Sequence, residues 1–543
     1  MTQAKNRAGA LVGALTTAAL MAIFYVAEQA ADLPFPPFDI FQWISRILPG
    51  FLITFGIDIM VTIIDAFNLG QTDDTAKLAE QLLSVALVFG LGGALGALYF
   101  SLQKKEGPAQ KFARTLLPGA IMGLLVGIAV SFISDRYNFT SSVDNTLSGF
   151  WITALFVVWG IIINWVYNRL DAPASMQAPT ALDAPEKSVQ TIDRRRFLVI
   201  LGGTAATITV IGSGIGAYLN SKKEEVLVKI TGANPKDFPN LNDKLIPAPG
   251  TRPEYTPLED HYRIDINVSI PEIDADTWEL PIGGLVENPI KLTLGDIQNN
   301  YEPMYQYITM SCISNRLGGD LISTTHWTGT SFQNILKEVK PKPEAKFVRI
   351  ESVDGFWEYV DLEVIRSDEK VMLTYAWDGA LLKAKHGFPL RIHIPNRYGM
   401  KQPKWITKID FVDEWEAGYW VSRGWDKEAL IKATSVIDTV AVNDVYEQDG
   451  QQFVPVGGMA WAGPRGISKV EIQVDDGEWV EAELRQPLSE KTWVIWRYDW
   501  PFSEGDHTFR VRCTEKDGTP QITEQAGTRP SGASGIYEKE ASL

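Results

Sequence analysis

Cysteine is scarce in this chain, two in 543 residues, and one of them stands where side chains can do chemistry. The run Thr309-Met310-Ser311-Cys312-Ile313-Ser314-Asn315-Arg316-Leu317-Gly318-Gly319 passes from an apolar strand pattern into a polar, glycine-containing loop. A loop exposes sulfur that a strand would bury, so Cys312 is a candidate soft-metal ligand or nucleophile. A lone cysteine is more often a core residue, and here the neighbours argue against that. Further candidates lie downstream in Lys385-His386-Gly387-Phe388-Pro389-Leu390-Arg391 and in Lys404-Trp405.

The order and spacing of these motifs resemble the sulfite oxidase family of molybdopterin-dependent oxidoreductases, in which a Cys followed by a small residue and Asn-Arg holds the metal. Lys385 to Arg391 looks like the same family's pterin motif, and Lys404-Trp405 follows at the family's distance. The likeness covers roughly residues 250 to 540. It implies a molybdenum-molybdopterin cofactor with Cys312 as the one protein ligand. Arg391 and Lys404 suit the cofactor's phosphate, since Arg binds it as a bidentate fork and Lys as a point charge. By the same resemblance His386 and Asp354 serve the pterin ring, while Tyr262, Asn315 and Gln402 complete the cofactor contacts. Arg316 and Arg465 are the catalytic arginines it implies. Sulfite-oxidising members carry another arginine directly after the Asn-Arg pair, where this chain has Leu317, and a further one pairs with Asp265. An aspartate beside the metal would repel an anion, so the resemblance implies oxygen-atom transfer without pointing to sulfite.

These residues need elements to position them. With 45% hydrophobic and 21% charged residues, the chain is too long for one core and should form several domains. A net charge of −16 without a basic stripe argues against nucleic acid. The two cysteines exclude a disulfide framework and a Cys-x-x-Cys metal site. No glycine-rich dinucleotide loop follows a strand, which argues against a nicotinamide enzyme.

Residues 1–170 read as a helical membrane domain. Apolar runs near 8–27, 80–102, 115–134 and 149–168, with a fifth at 197–219, are each long enough to cross the hydrocarbon layer. Lys5 and Arg7, then Lys104, Lys105, Lys111 and Arg114, then Arg169, place their ends inside. That pattern makes 38–69 a non-crossing interfacial or re-entrant segment on the outer side, where Asp58 and Asp65 are tolerable. The rival is six spans with the N-terminus outside. Residues 171–192 read as an Ala/Pro-rich linker, and 193–220 as an anchor opened by Arg194-Arg195-Arg196-Phe197-Leu198. Those arginines are either a positive-inside flank or a twin-arginine-like export signal in an internal position. Everything after about 220 should lie on the outer face of the cell membrane.

Residues 221–428 read as an α+β molybdopterin-binding domain, with a strand near Trp278–Ile282 and a short helix near Ser331–Val339. Residues 429–543 alternate as short strands, including Val470–Val474 and Phe509–Cys513. This second pattern predicts a β-sandwich, and it resembles the family's immunoglobulin-like domain, which implies a homodimer through that domain. Cys513 falls in phase with Phe509 and Val511 and belongs to the core. All five histidines, at 261, 326, 386, 393 and 507, lie outside the apolar runs. The membrane part therefore has no imidazole pair for a haem, and electrons pass to or from a separate protein, a cytochrome or a quinone-linked subunit. Three functions fit: a membrane-anchored molybdenum oxidoreductase acting on a small sulfur- or oxo-containing substrate, a sulfoxide or N-oxide reductase of the same fold, and a structural docking subunit.

Overall fold

The structure is a computed structural model describing residues 2–67, 69–103, 116–171, 194–221, 229 and 238–543. The basic loop at 104–115 and nearly all of the 171–192 linker lie outside the described residues. The chain divides into two compact units. One comprises Met1–Leu48, Lys77–Glu225 and Asn267–Glu272, the other Pro49–Ala76, Val226–Ile266 and Ile273–Leu543.

The first unit is helical. In chain order the helices are α1 (Thr2–Ala31), α2 (Pro36–Ile47), α3 (Gly50–Phe67), α4 (Thr72–Leu102), α5 (Leu117–Tyr137), α6 (Asn145–Asp171) and α7 (Arg194–Asn220), α3 alone belonging wholly to the second unit. Five of them, α1, α4, α5, α6 and α7, are long and apolar enough to cross a membrane, in agreement with the five runs in the sequence. The stretch 38–69 is two helices instead of one. They break at Leu48, whose extended ψ of 141° is what a following proline imposes, and Pro49 has no N–H to continue the ladder. Neither half has spanning length.

Glycines let the apolar helices touch backbone to backbone. A Cβ on Gly13 of α1 would stand 2.2 Å from the carbonyl oxygen of Gly92 on α4, and one on Gly96 would stand 2.3 Å from that of Gly9. The close-packing face of α4 therefore runs through Gly92, Gly93 and Gly96, whereas Gly90 faces open space. Two polar pairs bridge helices: Trp159 Nε1 donates to Thr17 Oγ1 (3.0 Å) and Tyr99 Oη to Asn164 Oδ1 (2.7 Å). The short stretch Asn267–Glu272 is tied into this unit, its Asn267 carbonyl accepting from Lys77 Nζ (2.9 Å) and its Ser269 hydroxyl from Gln42 (3.3 Å).

The second unit holds two α+β sheets and a two-sheet C-terminal region. The first sheet orders its strands Ile290–Thr293, Glu279–Gly284, Ile406–Val412, Phe347–Ser352 and Trp357–Asp361, with a single parallel pairing between Glu279–Gly284 and Ile406–Val412. The second pairs Pro303–Ser311, Ile322–Ser331 and Met372–Trp377 antiparallel, with Ala380–Leu381 and Arg391–His393 flanking the last. Between the sheets lies one apolar core around Leu280, Ile335, Ile350, Leu373 and Phe411. The helix Phe332–Val339 starts where expected, because the Ser331 side chain accepts from Gln333 N–H and caps it.

From Thr434 onward two antiparallel sheets share a core. Thr434–Val440, Gln451–Trp461 and Val494–Pro501 form one, Ile467–Val474 and Asp506–Glu515 the other, and Val456, Ala460, Val470, Val511 and Cys513 interdigitate between them. Cys513 is buried there as anticipated, its Sγ hydrogen-bonded to Gln521 Oε1 (3.1 Å).

Phe411 is fully buried in the core between the first two sheets. The substitution Phe411→Ala is expected to destabilise this unit by about 3–5 kcal/mol, read as a lower midpoint in denaturant unfolding followed by near-UV circular dichroism. A shift within error of zero would show that this core does not carry the fold.

Candidate functional site

Cys312 is the first residue after the strand Pro303–Ser311, and a closed loop follows it. Cys312 N–H donates to Leu321 O (3.0 Å), Asn315 N–H to Cys312 O (3.1 Å) and Leu321 N–H to Asn315 Oδ1 (3.0 Å). Asn315 thus shapes the loop with its own side chain. The glycines that follow are required by space: a Cβ on Gly319 would stand 2.5 Å from Asn315 Oδ1, and Gly318 has φ +77° against the Tyr537 ring. The thiol is buried, with Sγ 3.0 Å from Ser314 Oγ, and burial pushes its pKa up. A raised thiol pKa is the wrong setting for a free nucleophile. A soft metal deprotonates its thiol on binding, so ligation fits better.

Behind the loop four aromatic rings gather. His261 lies 5.2 Å from His386, 5.5 Å from Trp327 and 5.2 Å from Trp377, and Trp377 lies 4.5 Å from His386, centroid to centroid. Tyr262 stacks on His261 at 15°. All four rings are buried, and among the described residues His261 Nε2, His386 Nε2, Trp327 Nε1 and Trp377 Nε1 have no hydrogen-bond partner. Each unpaired buried polar group costs about 1–3 kcal/mol. Four together are explained by a bound group rich in donors and acceptors, as a pterin is, and the residues present fit it.

The charges here are cationic and desolvated. Arg391 is buried over the Trp327 ring (5.0 Å), donates to His386 O (3.1 Å), and burial lowers its pKa to about 10. Lys404 donates to Lys385 O (3.2 Å) and burial lowers it to about 8 against the pull of Asp265. Burial first, and Arg391 next, push His261 down to about 3, while burial and His261 hold His386 well below the usual imidazole range. Both imidazoles are held toward the neutral form, and buried Arg391, which also lowers Lys404, forms with it a receptor for an anion such as a phosphate.

Other expected site residues are placed differently. Asp265 is buried between Arg263 Nε (2.8 Å) and Lys404 Nζ (3.2 Å). The repulsive charge expected of it is therefore matched by two cations. Asp354 is buried in a turn, accepting from Phe356 N–H (3.0 Å), and is joined through Val353 N–H to Trp405 O (3.0 Å). Gln402 is engaged at both ends, by His393 Nδ1 (2.8 Å) and by Arg397 O (2.8 Å). Arg316 is exposed on the cysteine loop, with Nη2 3.5 Å from Thr62 Oγ1. The Arg465 guanidinium is held by Glu515 (2.6 Å), Ile431 O (2.9 Å) and Asn396, and acts on Tyr398, a buried ring that also feels Cys312. The sequence reading missed His261, Trp327 and Trp377. His261 had a signal, its place beside Tyr262; the tryptophans meet only through strand pairing.

His393, buried beside Gln402, is also pushed down to about 3, by burial foremost. A histidine held neutral in the fold and titrating near 6.5 when unfolded contributes stability that is complete above about pH 6.5 and lost as pH falls toward 3. The catalytic unit is therefore expected to melt at lower temperature from pH 7 to pH 5, and His393→Leu to show a shallower fall. An equal slope in the variant would remove His393 from this account.

Residues 267–420 match the family described as "Oxidoreductase molybdopterin binding domain". The nitrate reductase [NADPH] of Fusarium oxysporum is 26% identical over 317 residues, 47% of this chain and 35% of that one. The mitochondrial sulfite oxidase of Macaca fascicularis is 24% identical over 296 residues, 46% of this chain and 54% of that one. An Azospira oryzae chain named provisionally as a protein-methionine-sulfoxide reductase subunit, YedZ1, is 28% identical over 177 residues, 32% of this chain and 63% of that one. The chain thus spans between about a third and two thirds of the curated relatives it matches. What the match and the geometry support together is a molybdopterin-binding oxidoreductase domain over residues 267–420, similar to that of sulfite oxidases and nitrate reductases, with a helical region N-terminal to it.

Proposed function

We propose that the protein is a membrane-anchored molybdenum oxidoreductase that moves an oxygen atom to or from a small sulfur- or oxo-containing substrate on the outer face of the membrane. The observation that carries this reading is the ring of buried, unpartnered nitrogens and desolvated cations behind the cysteine loop. Molybdenum-molybdopterin supplies two-electron redox chemistry and oxygen-atom transfer when bound.

The chain's own residues do the rest. Cys312 offers the thiolate ligand from a loop that Asn315 holds closed. Arg391 and Lys404 take the phosphate. His386, His261 and Asp354 pair with the ring, with Tyr262 against His261, and Gln402 fixes His393 behind them. Arg316, and Arg465 through Tyr398, orient the substrate. Electrons pass to or from a separate carrier, a cytochrome or a quinone-linked subunit, because no histidine lies in residues 1–220. In this reading 429–543 is the immunoglobulin-like domain through which two copies pair, and the arginines at 194–196 serve export or orientation.

The reductive direction is the second reading. Leu317 leaves the loop one cation short of an oxyanion clamp, and the Azospira relative is named for a sulfoxide reductase. Both favour a neutral sulfoxide or N-oxide over a dianion.

About one molybdenum per chain is expected from elemental analysis. Cys312→Ser should lose turnover while keeping its near-UV spectrum, because a hydroxyl is a poor soft-metal ligand. Metal-free but folded protein, or an active serine variant, would sink the assignment. Leu317→Arg should raise sulfite turnover relative to a neutral sulfoxide by about tenfold, the effect of some 1.4 kcal/mol. An unchanged ratio in dye-linked assays would show that this position does not face the substrate.

A further inference from the structure

The helix α3 (Gly50–Phe67) belongs to the catalytic unit although it stands among the membrane helices in sequence. Of its four polar residues, Thr54, Asp58 and Thr62 follow one edge at i, i+4, i+8 spacing, with Asp65 in the last turn, and the catalytic unit grips that edge. Arg529 reaches both carboxylate oxygens of Asp58 (3.1 Å each) and donates to Thr54 O (3.1 Å). Arg316, on the cysteine loop, reaches Thr62. Just past the helix, Asp73 accepts from Arg263 N–H and Thr72 N–H donates to Asp320 Oδ2 (2.8 Å).

The remaining surface of α3 is apolar on both sides. Ile64 is buried and Ile53, Ile57 and Val61 are half-buried on one side, while Phe51, Phe55, Ile59, Ile63 and Phe67 form an exposed stripe on the other, Phe51 and Phe67 about seven-tenths accessible. A water-facing helix hides one apolar stripe and shows polar residues opposite. One that instead shows a run of large apolar side chains beside a narrow polar edge has an apolar medium against that run. Chain continuity names that medium. Only residues 68–71 separate α3 from α4, a helix of spanning length, so its C-terminal end lies within about 18 Å of the start of α4.

We propose that α3 is a membrane-surface helix built into the catalytic unit, with Phe51, Phe55, Ile59, Ile63 and Phe67 seated among the lipid acyl chains and the cysteine loop hung from its polar edge. The proposal stands independently of the oxidoreductase reading. It requires no metal.

The test places photoreactive benzoylphenylalanine at Phe55 or Phe67 of the full chain in liposomes of phosphatidylethanolamine and phosphatidylglycerol. Phe132, exposed on α5, is the membrane reference, and Ile522, exposed in the C-terminal region, is the control. Lipid adducts at positions 55 and 67 as abundant as at 132, with loss of the adduct at 522, are expected. Absence of adducts at 55 and 67 while 132 reacts would overturn the proposal. So would chain-to-chain products at 55 and 67, which would make the face an interface between copies. Equal reaction at 522 would overturn it too, by showing that any exposed position reacts. Molybdenum content measured on the same samples keeps this result separate from the cofactor assignment.

Discussion

Desolvation of positive charge and of hydrogen-bonding rings in one place is the constraint on which the catalytic unit depends. Arg391, Lys404, His261 and His386 crowd together with their pKa values pushed down, and four ring nitrogens nearby lack partners among the described residues. A fold closed only around itself would not retain such a cluster, since buried cations and unpaired donors oppose folding. The surrounding structure supplies what holds it: a tight core between two sheets, and a carboxylate, Asp265, shared by Arg263 and Lys404. Stability and ligand recognition are coupled here, because whatever satisfies the cluster also stabilises the fold.

Much of this was legible in the sequence where the signal is local. The cysteine loop, the Ser331 cap, the five long apolar helices and the alternating strands around Val470 and Phe509 are patterns of a few adjacent residues, and they appear where expected. What the sequence hid depends on partners far away along the chain. Asp265 looks like a bare negative charge until Lys404 folds onto it. Arg465 looks free until Glu515 pairs with it. Trp327 and Trp377 become neighbours only because their strands are in register. Hydropathy identified 38–69 as apolar and the placement of lysine and arginine argued against its crossing, but the affiliation of α3 rests on Arg529 and Arg316, hundreds of residues downstream.

The helical unit solves a different problem. Its helices are long and apolar enough to cross a membrane, and between helices of that kind contact depends on shape and on paired polar atoms. Gly9 and Gly13 against Gly92 and Gly96 bring backbones together, as do Gly119 and Gly123 against Phe156 and Gly160. The Trp159–Thr17 and Tyr99–Asn164 hydrogen bonds then fix which helix meets which.

The two units are not beads on a string. The chain changes unit between 48 and 49, 76 and 77, 225 and 226, 266 and 267, and 272 and 273. A polypeptide trimmed to begin at 221 would leave behind the segment whose Asp58 and Asp73 hold Arg529 and Arg263. It would also carry away six residues that complete the other unit. A catalytic domain cut at 221 would therefore arrive without the helix that holds Arg529 and the carboxylate that holds Arg263.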